Sequence, residues 1–189
     1  MFNPSVFKAY DVRGLYPSEI TEELFHQLGR AFVAYLGPGR FAVTRDMRVS
    51  SPSLTRAFID GVVLQGGTVL DYGLMGTDQM YYAVAADQLD GGAQITASHN
   101  PAQYNGAKFC LSGARAVGID TGLDKVKAVA ADVLRGKGPM ASARAGSSTE
   151  RNLLQQFADP AFVGQRFHHQ LERAAAGQAP ARGLLVGHA

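Results

Sequence analysis

The sequence predicts an α/β domain built on a parallel or mixed sheet, and three observations carry that expectation. Short apolar and β-branched runs at 41–44, 68–71 and 93–96 alternate with longer stretches of helical periodicity. Breaker residues mark the joints, at Gly37-Pro38-Gly39, Gly66-Gly67, Gly91-Gly92 and Asn100-Pro101. Apolar residues make up 46% and charged residues 18% of 189 residues, which is enough chain to bury a core in one domain or slightly more.

Residues 7–12 have strand character and end at Arg13-Gly14, which places Tyr10 and Arg13 near a turn. Read alone, Arg13 is a surface charge. Thr21 caps a helix in which Leu24, Leu28, Phe32 and Tyr35 recur at three- and four-residue spacing, and Gly37-Pro38-Gly39 stops it. That stripe is core. Residues 41–44 read as a buried strand, followed by Arg45, Asp46 and Arg48, which are equally read as an exposed ion-pair cluster. Ser51 then caps a helix over 52–64, with Pro52 at its first position.

The pattern repeats with a strand at 68–71, a loop at 72–77 and a helix at 78–88. Gly91-Gly92 leads into a strand at 93–96 that opens onto Ser98. A further strand covers 107–111, Ser112-Gly113 turns the chain, and 121–134 is an amphipathic helix with Leu123, Val126, Val129, Val133 and Leu134 inward. Residues 136–139 and 141–149 are rich in Gly, Ser and Ala, the composition of a linker. Beyond them 153–157 and 162–176 read as helical and 183–186 as an opening strand. Adjacent residues on a helix face different directions, so His168-His169 reads as a surface pair rather than a metal site.

A formal net charge of +2 and the lack of a basic tract argue against nucleic acid or an anionic membrane as partner. The single cysteine, Cys110, cannot form an internal disulfide and reads as a small buried residue in a reducing cytoplasm. The run Met1-Phe2-Asn3-Pro4-Ser5 has no basic region leading into an apolar core, so no signal peptide is expected. No apolar run approaches bilayer length. The expected location is cytoplasmic.

Reactive side chains concentrate between Gly91 and Pro101. A hydroxyl, Ser98, sits with His99 on a loop at a strand's end, and Pro101 removes a donor and biases Asn100 towards extended backbone. Gly91, Gly92 and Gly106 flank the loop and suggest close approach of a ligand to backbone. Lys108 follows ten residues after Ser98. In open α/β sheets ligands gather at the carboxyl ends of strands, where Arg45-Asp46, Tyr72-Gly73 and Ser98-His99 all fall. No Gly-x-Ser-x-Gly elbow surrounds Ser98, which argues against a serine hydrolase.

Thr96-Ala97-Ser98-His99-Asn100-Pro101, then Tyr104-Asn105-Gly106 and Lys108, resemble the phosphoserine loop of the α-D-phosphohexomutases, the phosphomannomutase and phosphoglucomutase family. Phe7-Lys8-Ala9-Tyr10-Asp11-Val12-Arg13-Gly14 resembles that family's N-terminal signature. The pattern departs at Thr44 and Met47, where the family has glycines. Gly73 to Thr77 and Gly113 to Leu123 look most like bacterial phosphomannomutases.

The resemblance implies a three-layer αβα domain with a mixed, mostly parallel sheet over 1–138, a linker at 139–150 and the truncated start of a second domain at 151–189. It implies Ser98 as the phosphorylated nucleophile, with His99, Lys108 and Arg13 as catalytic partners. Tyr10 and Asn100 would bind phosphate or substrate, and Mg²⁺ would be held through the phosphate on Ser98. A hexose phosphate is then the substrate, mannose ahead of glucose, with a hexose bisphosphate as activator. No aspartate cluster with metal spacing is found, and the resemblance covers roughly the first third or more of a complete mutase. A chain that folds through about residue 135 without turning over substrate alone is expected, and an inactive remnant that binds phospho-ligands or a partner is the alternative.

Overall fold

The computed structural model describes residues 3–158, and the packing divides the chain between Arg151 and Asn152. At the start of the first unit the chain reverses sharply. The Lys8 N–H donates to the Asp11 carbonyl at 2.8 Å, and Phe7 bridges Val12 across the turn. The first strand, β1 (Val12–Leu15), therefore begins where the sequence reading expected a strand to end, and Arg13 and Gly14 lie inside it. Tyr10 is left 76% exposed at the turn.

The elements that follow are α1 (Glu22–Leu36), β2 (Arg40–Arg45), α2 (Ser51–Leu64), β3 (Thr68–Leu74), α3 (Thr77–Ala86), β4 (Gly91–Ile95), β5 (Tyr104–Leu111), β6 (Arg115–Ala116), α4 (Leu123–Leu134) and β7 (Ser147–Glu150). Thr21 caps α1 as expected, its hydroxyl accepting from the Leu24 N–H at 3.1 Å. At α2 the cap is Ser50 rather than Ser51, with Pro52 in the first turn. The Ser51 hydroxyl is engaged elsewhere, donating to Asp46.

The sheet has seven strands in the order β1-β5-β4-β2-β3-β7, with β6 beside β5. β2 runs parallel to β3 and β4, and β3 parallel to β7, whereas β5 is antiparallel to β1, β4 and β6. One strand, β5, thus opposes all the others, and the sheet is mixed and mostly parallel. A Cβ at Gly91 would meet Phe32 and Leu36 of α1, while one at the next residue, Gly92, would meet Met80 and Val84 of α3. Successive strand residues point to opposite faces, so α1 and α3 cover opposite sides of the sheet. The domain is three-layered.

Stretch 139–150, read as a linker, contains β7, whose register sets Thr68 opposite Ser147 and Asp71 opposite Glu150. All four β7 residues are exposed. A strand recruited by backbone pairing with the edge of β3 needs no apolar alternation, so none was there to read. In the second unit the described part is α5 (Leu154–Ala158), where the Leu154 N–H donates to Asn152 Oδ1. The helix read at 162–176, the His168-His169 pair and the strand read at 183–186 lie outside the described residues. Among the described residues no helix is long and apolar enough to cross a membrane.

Phe32 anchors the core, with ring centroids 5.3 Å from Phe41, 6.1 Å from Phe58 and 5.2 Å from Phe109. Such ring pairs bury large apolar area and add directional contact. Cys110 is fully buried with Sγ 3.2 Å from Met80 Sδ, and burial pushes its thiol up to about 12. Few thiolates form there at neutral pH, so this cysteine is a packing residue.

Helices α1 and α2 approach through glycines. A Cβ at Gly29 would stand 2.2 Å from the Phe58 carbonyl oxygen, and one at Gly61 2.0 Å from that of His26. Backbone on both sides leaves little to yield. Gly61→Ala should therefore lower stability by about 2–3 kcal/mol through overpacking, read as a lower urea midpoint. A midpoint equal to wild type would overturn the close-contact reading.

Candidate active site

Beyond the carboxyl end of β4 the chain carries Ser98 at φ +54°, a left-handed conformation that is unfavourable for a residue with a Cβ. Hydrogen bonds from several elements hold it. Thr96 Oγ1 accepts from the Ser98 N–H at 2.8 Å and donates to Asp46 Oδ2 at 2.7 Å. Asp46 sits just past β2, and its Oδ1 also accepts from the Arg48 N–H at 3.0 Å and from Ser51 Oγ at 2.5 Å.

Arg48 reaches across to the Ser98 loop. Its Nε donates to Asp46 at 3.1 Å. Nη1 donates to the carbonyls of Pro101 at 2.7 Å and Tyr104 at 3.1 Å, and Nη2 to those of Ser98 at 3.0 Å and Asn100 at 2.6 Å. The side chain is only 13% exposed. The sequence reading left Asp46 and Arg48 open as an exposed ion-pair cluster; the structure corrects that, because the guanidinium is spent on backbone. Carbonyl acceptors belong to every residue type, so nothing in the sequence marks the target of such an arginine.

A second group lies around Asp11, a buried carboxylate that pairs through the same oxygen with Arg13 and, at 3.2 Å, with Lys108 Nζ. Arg13 Nη1 continues to Asn100 Oδ1 at 2.8 Å, joining this group to the Ser98 loop. Two cations share one carboxylate, leaving a local excess of one positive charge. Arg13 Nε is buried without a hydrogen-bond partner among the described residues. Sequence reasoning missed Asp11 and Thr96, although each lies inside one of the two motifs.

Beside the loop opens a cleft of about 970 Å³. Ser98, Asn100, Thr96, Asp46, Arg48 and Tyr16 line it, with Met47, Val49 and Leu74 exposed at its rim. Glu22, accepting a hydrogen bond from Tyr16 at 2.9 Å, holds that phenol above its usual range. The third expected loop contributes Leu74, Met75 and Gly76 rather than Tyr72. Tyr72 is buried and bonds to Asp87, itself paired with Arg151; burial first and Asp87 second raise its pKa strongly.

Of the residues singled out from sequence, Ser98 and Asn100 meet at the cleft, and Arg13 and Lys108 connect to them through Asn100 and Asp11. His99 is exposed, and its ring has no hydrogen-bond partner among the described residues. Tyr10 is not brought to the loop; its ring lies beside Gly118. The flanking glycines also have a different use. A Cβ at Gly106 would stand 1.9 Å from the Val12 carbonyl oxygen, and one at Gly91 2.7 Å from that of Cys110, so strand approach, not ligand approach, requires them.

No group of three or more His, Cys, Asp or Glu side chains that could hold a metal gathers among the described residues. Both Asp46 oxygens are already filled by protein donors. These residues do not by themselves fit Mg²⁺, which prefers an octahedron of oxygen ligands.

Fold and site together define an α/β domain that presents a serine loop at the carboxyl ends of its strands, tied to a guanidinium and, through a shared carboxylate, to an ammonium. Residues 4–133 match the family described as phosphoglucomutase/phosphomannomutase, alpha/beta/alpha domain I. The chain belongs to this family. A phosphomannomutase of Klebsiella pneumoniae is 38% identical over 153 residues, 81% of this chain and 96% of that protein. One of Escherichia coli is likewise 38% identical, but there the chain covers 33% of the relative. Among solved structures, a phosphoglucomutase/phosphomannomutase family protein from Burkholderia thailandensis matches with a TM-score of 0.71 and 30% identity, over 83% of this chain and 35% of that one. The chain thus spans nearly all of the Klebsiella relative and about a third of the other two.

The conformation of Ser98 has a measurable cost. Glycine adopts positive φ freely, so Ser98→Gly should be more stable than Ser98→Ala by about 1 kcal/mol in chemical denaturation. Equal stabilities would show that the loop relaxes once the hydroxyl is removed.

Proposed function

We propose that this chain is the serine-bearing domain of a phosphohexomutase that interconverts mannose 1-phosphate and mannose 6-phosphate through a phosphoserine at Ser98. The observation that carries the reading is an exposed Ser98, fixed at positive φ on the cleft, on a loop tied to Arg13 and through Asp11 to Lys108. In the first half-reaction the Ser98 Oγ–P bond breaks, a P–O bond forms to the free sugar hydroxyl, and that hydroxyl's proton ends on Oγ. In the second, the other phosphate ester of the bisphosphorylated sugar breaks, the Oγ–P bond re-forms, and the proton returns to the released sugar oxygen.

Phosphoryl transfer asks chiefly for positioning and for positive charge near the spreading negative charge. Arg13 and Lys108 supply the charge, and the exposed, unengaged His99 ring is suited to carry a proton. Asn100, lining the cleft, is assigned to substrate phosphate. Mg²⁺ enters this reading only as a cation held with further donors beyond the described residues. A hexose bisphosphate serves to prime Ser98. Mannose stands ahead of glucose because the Klebsiella pneumoniae and Escherichia coli relatives carry the name phosphomannomutase.

Incubating the chain with a hexose 1,6-bisphosphate and reading intact mass and phosphopeptides tests the carrier. One phosphate on Ser98 and none on Ser98→Ala is expected. Label on another serine, or a Ser98→Ala protein that still gains phosphate, would refute the assignment. In a complete mutase carrying this domain, Lys108→Met should cut turnover by about two orders of magnitude or more, the scale of losing one preorganised charge donor. Near-normal turnover in a folded Lys108→Met protein would return this lysine to a structural role.

A further inference from the structure

We propose that Arg48 is the positioning residue for phosphoryl transfer at Ser98, an assignment that rests on Ser98 being the phosphate carrier. All the contacts of its guanidinium are with the protein: one nitrogen on Asp46, two on the carbonyl oxygens of Ser98, Asn100, Pro101 and Tyr104. Its charge is matched by Asp46, so Arg48 is not itself a phosphate ligand. An exposed ion pair accounts for the first of these contacts and for none of the other four.

Two consequences follow for the serine. The bonds grip the loop at its start, middle and end, so Ser98 is held at φ +54° rather than relaxing to the negative φ it favours. Each carbonyl oxygen turned onto Arg48 is also one that does not face a dianionic phosphate. Across a trans peptide the carbonyl and the next N–H point in opposite directions. With the Ser98 carbonyl on Arg48, the His99 N–H points away from it, and this N–H has no partner among the described residues. A free backbone donor beside the carrier suits an anion.

The geometry needs a guanidinium. Its planar fork serves several acceptors from fixed directions, while an ammonium of the same charge is a compact point donor that cannot span four carbonyls. Charge alone should therefore not replace Arg48.

The test is the rate of Ser98 labelling by a hexose 1,6-bisphosphate in wild type, Arg48→Lys and Arg48→Ala, with thermal unfolding as the control for folding. Both variants are expected to label about 10²-fold more slowly, the scale of an ångström-sized misplacement. The half-saturating bisphosphate concentration should be unchanged, and added guanidinium should recover part of the Arg48→Ala rate. If Arg48→Ala fails to fold, Asp46→Asn, which keeps the guanidinium and removes its charged anchor, is expected to slow labelling in the same direction. Wild-type rates in Arg48→Lys or Asp46→Asn overturn the proposal and leave Ser98 as carrier. A wild-type chain that takes no phosphate on Ser98 overturns the carrier assignment and this proposal together.

Discussion

The pairing of Asp46 with Arg48 is the constraint on which the rest of the site depends. Asp46 is placed by the sheet, since it follows β2 directly and its N–H donates to the Ile95 carbonyl at the end of β4. Its carboxylate then collects the Thr96 hydroxyl, the Ser51 hydroxyl and Arg48. Through these it couples β4, the start of α2 and the Ser98 loop. Ionised acceptors make stronger hydrogen bonds than neutral ones, and most of this network is withheld from solvent. A loop otherwise free to fluctuate is thereby referred to two rigid strands and one helix.

The topology explains how residues so distant in sequence reach that point. Strand β5 opposes its neighbours, so its start is brought to the same edge as the carboxyl ends of β2 and β4, and Asn105 donates from it to Ser50 and Ser51. β1 lies on the outer side of β5 and delivers Arg13 opposite Gly106. The glycine at 106 lets these two strands approach, and the reversal at 8–11 sets Asp11 next to them. Neither feature touches the cleft, yet both determine where the cations stand.

Much of the architecture was legible because it is written in side-chain periodicity. The stripe Leu24, Leu28 and Phe32 and the glycines that end helices are local signals, and local physics decides them. Ser98, Asn100 and Lys108 were singled out through one motif and Arg13 through a second, distant one, and contacts through Asn100 and Asp11 link the two. What escaped was written in backbone. β7 joins the sheet by main-chain pairing with exposed Ser, Thr and Glu side chains, Arg48 binds carbonyls, and the turn at residues 8–11 is closed by a main-chain bond. Tyr10 lies at the turn the sequence suggested, but its ring is directed away from the Ser98 loop. The direction of that ring, towards Gly118, is set by tertiary packing that a linear motif does not encode.

The sharing of Asp11 between Arg13 and Lys108 bears on how two neighbouring cations are tolerated within the fold. Two partly buried cations facing each other unpaired would be costly, and a single buried carboxylate offsets that cost. Had each cation its own carboxylate, the region would be neutral and have little attraction for a phosphate. With one between two, the pair remains positive by one charge and is already oriented, Arg13 by its bond to Asn100 and Lys108 by its place on β5 opposite Gln94. Under the proposed phosphoryl-transfer reading, an arriving phosphate completes a charge balance instead of breaking an established one. Groups prepared in this way need little rearrangement at the moment of reaction, which is the source of electrostatic catalysis at preorganised sites.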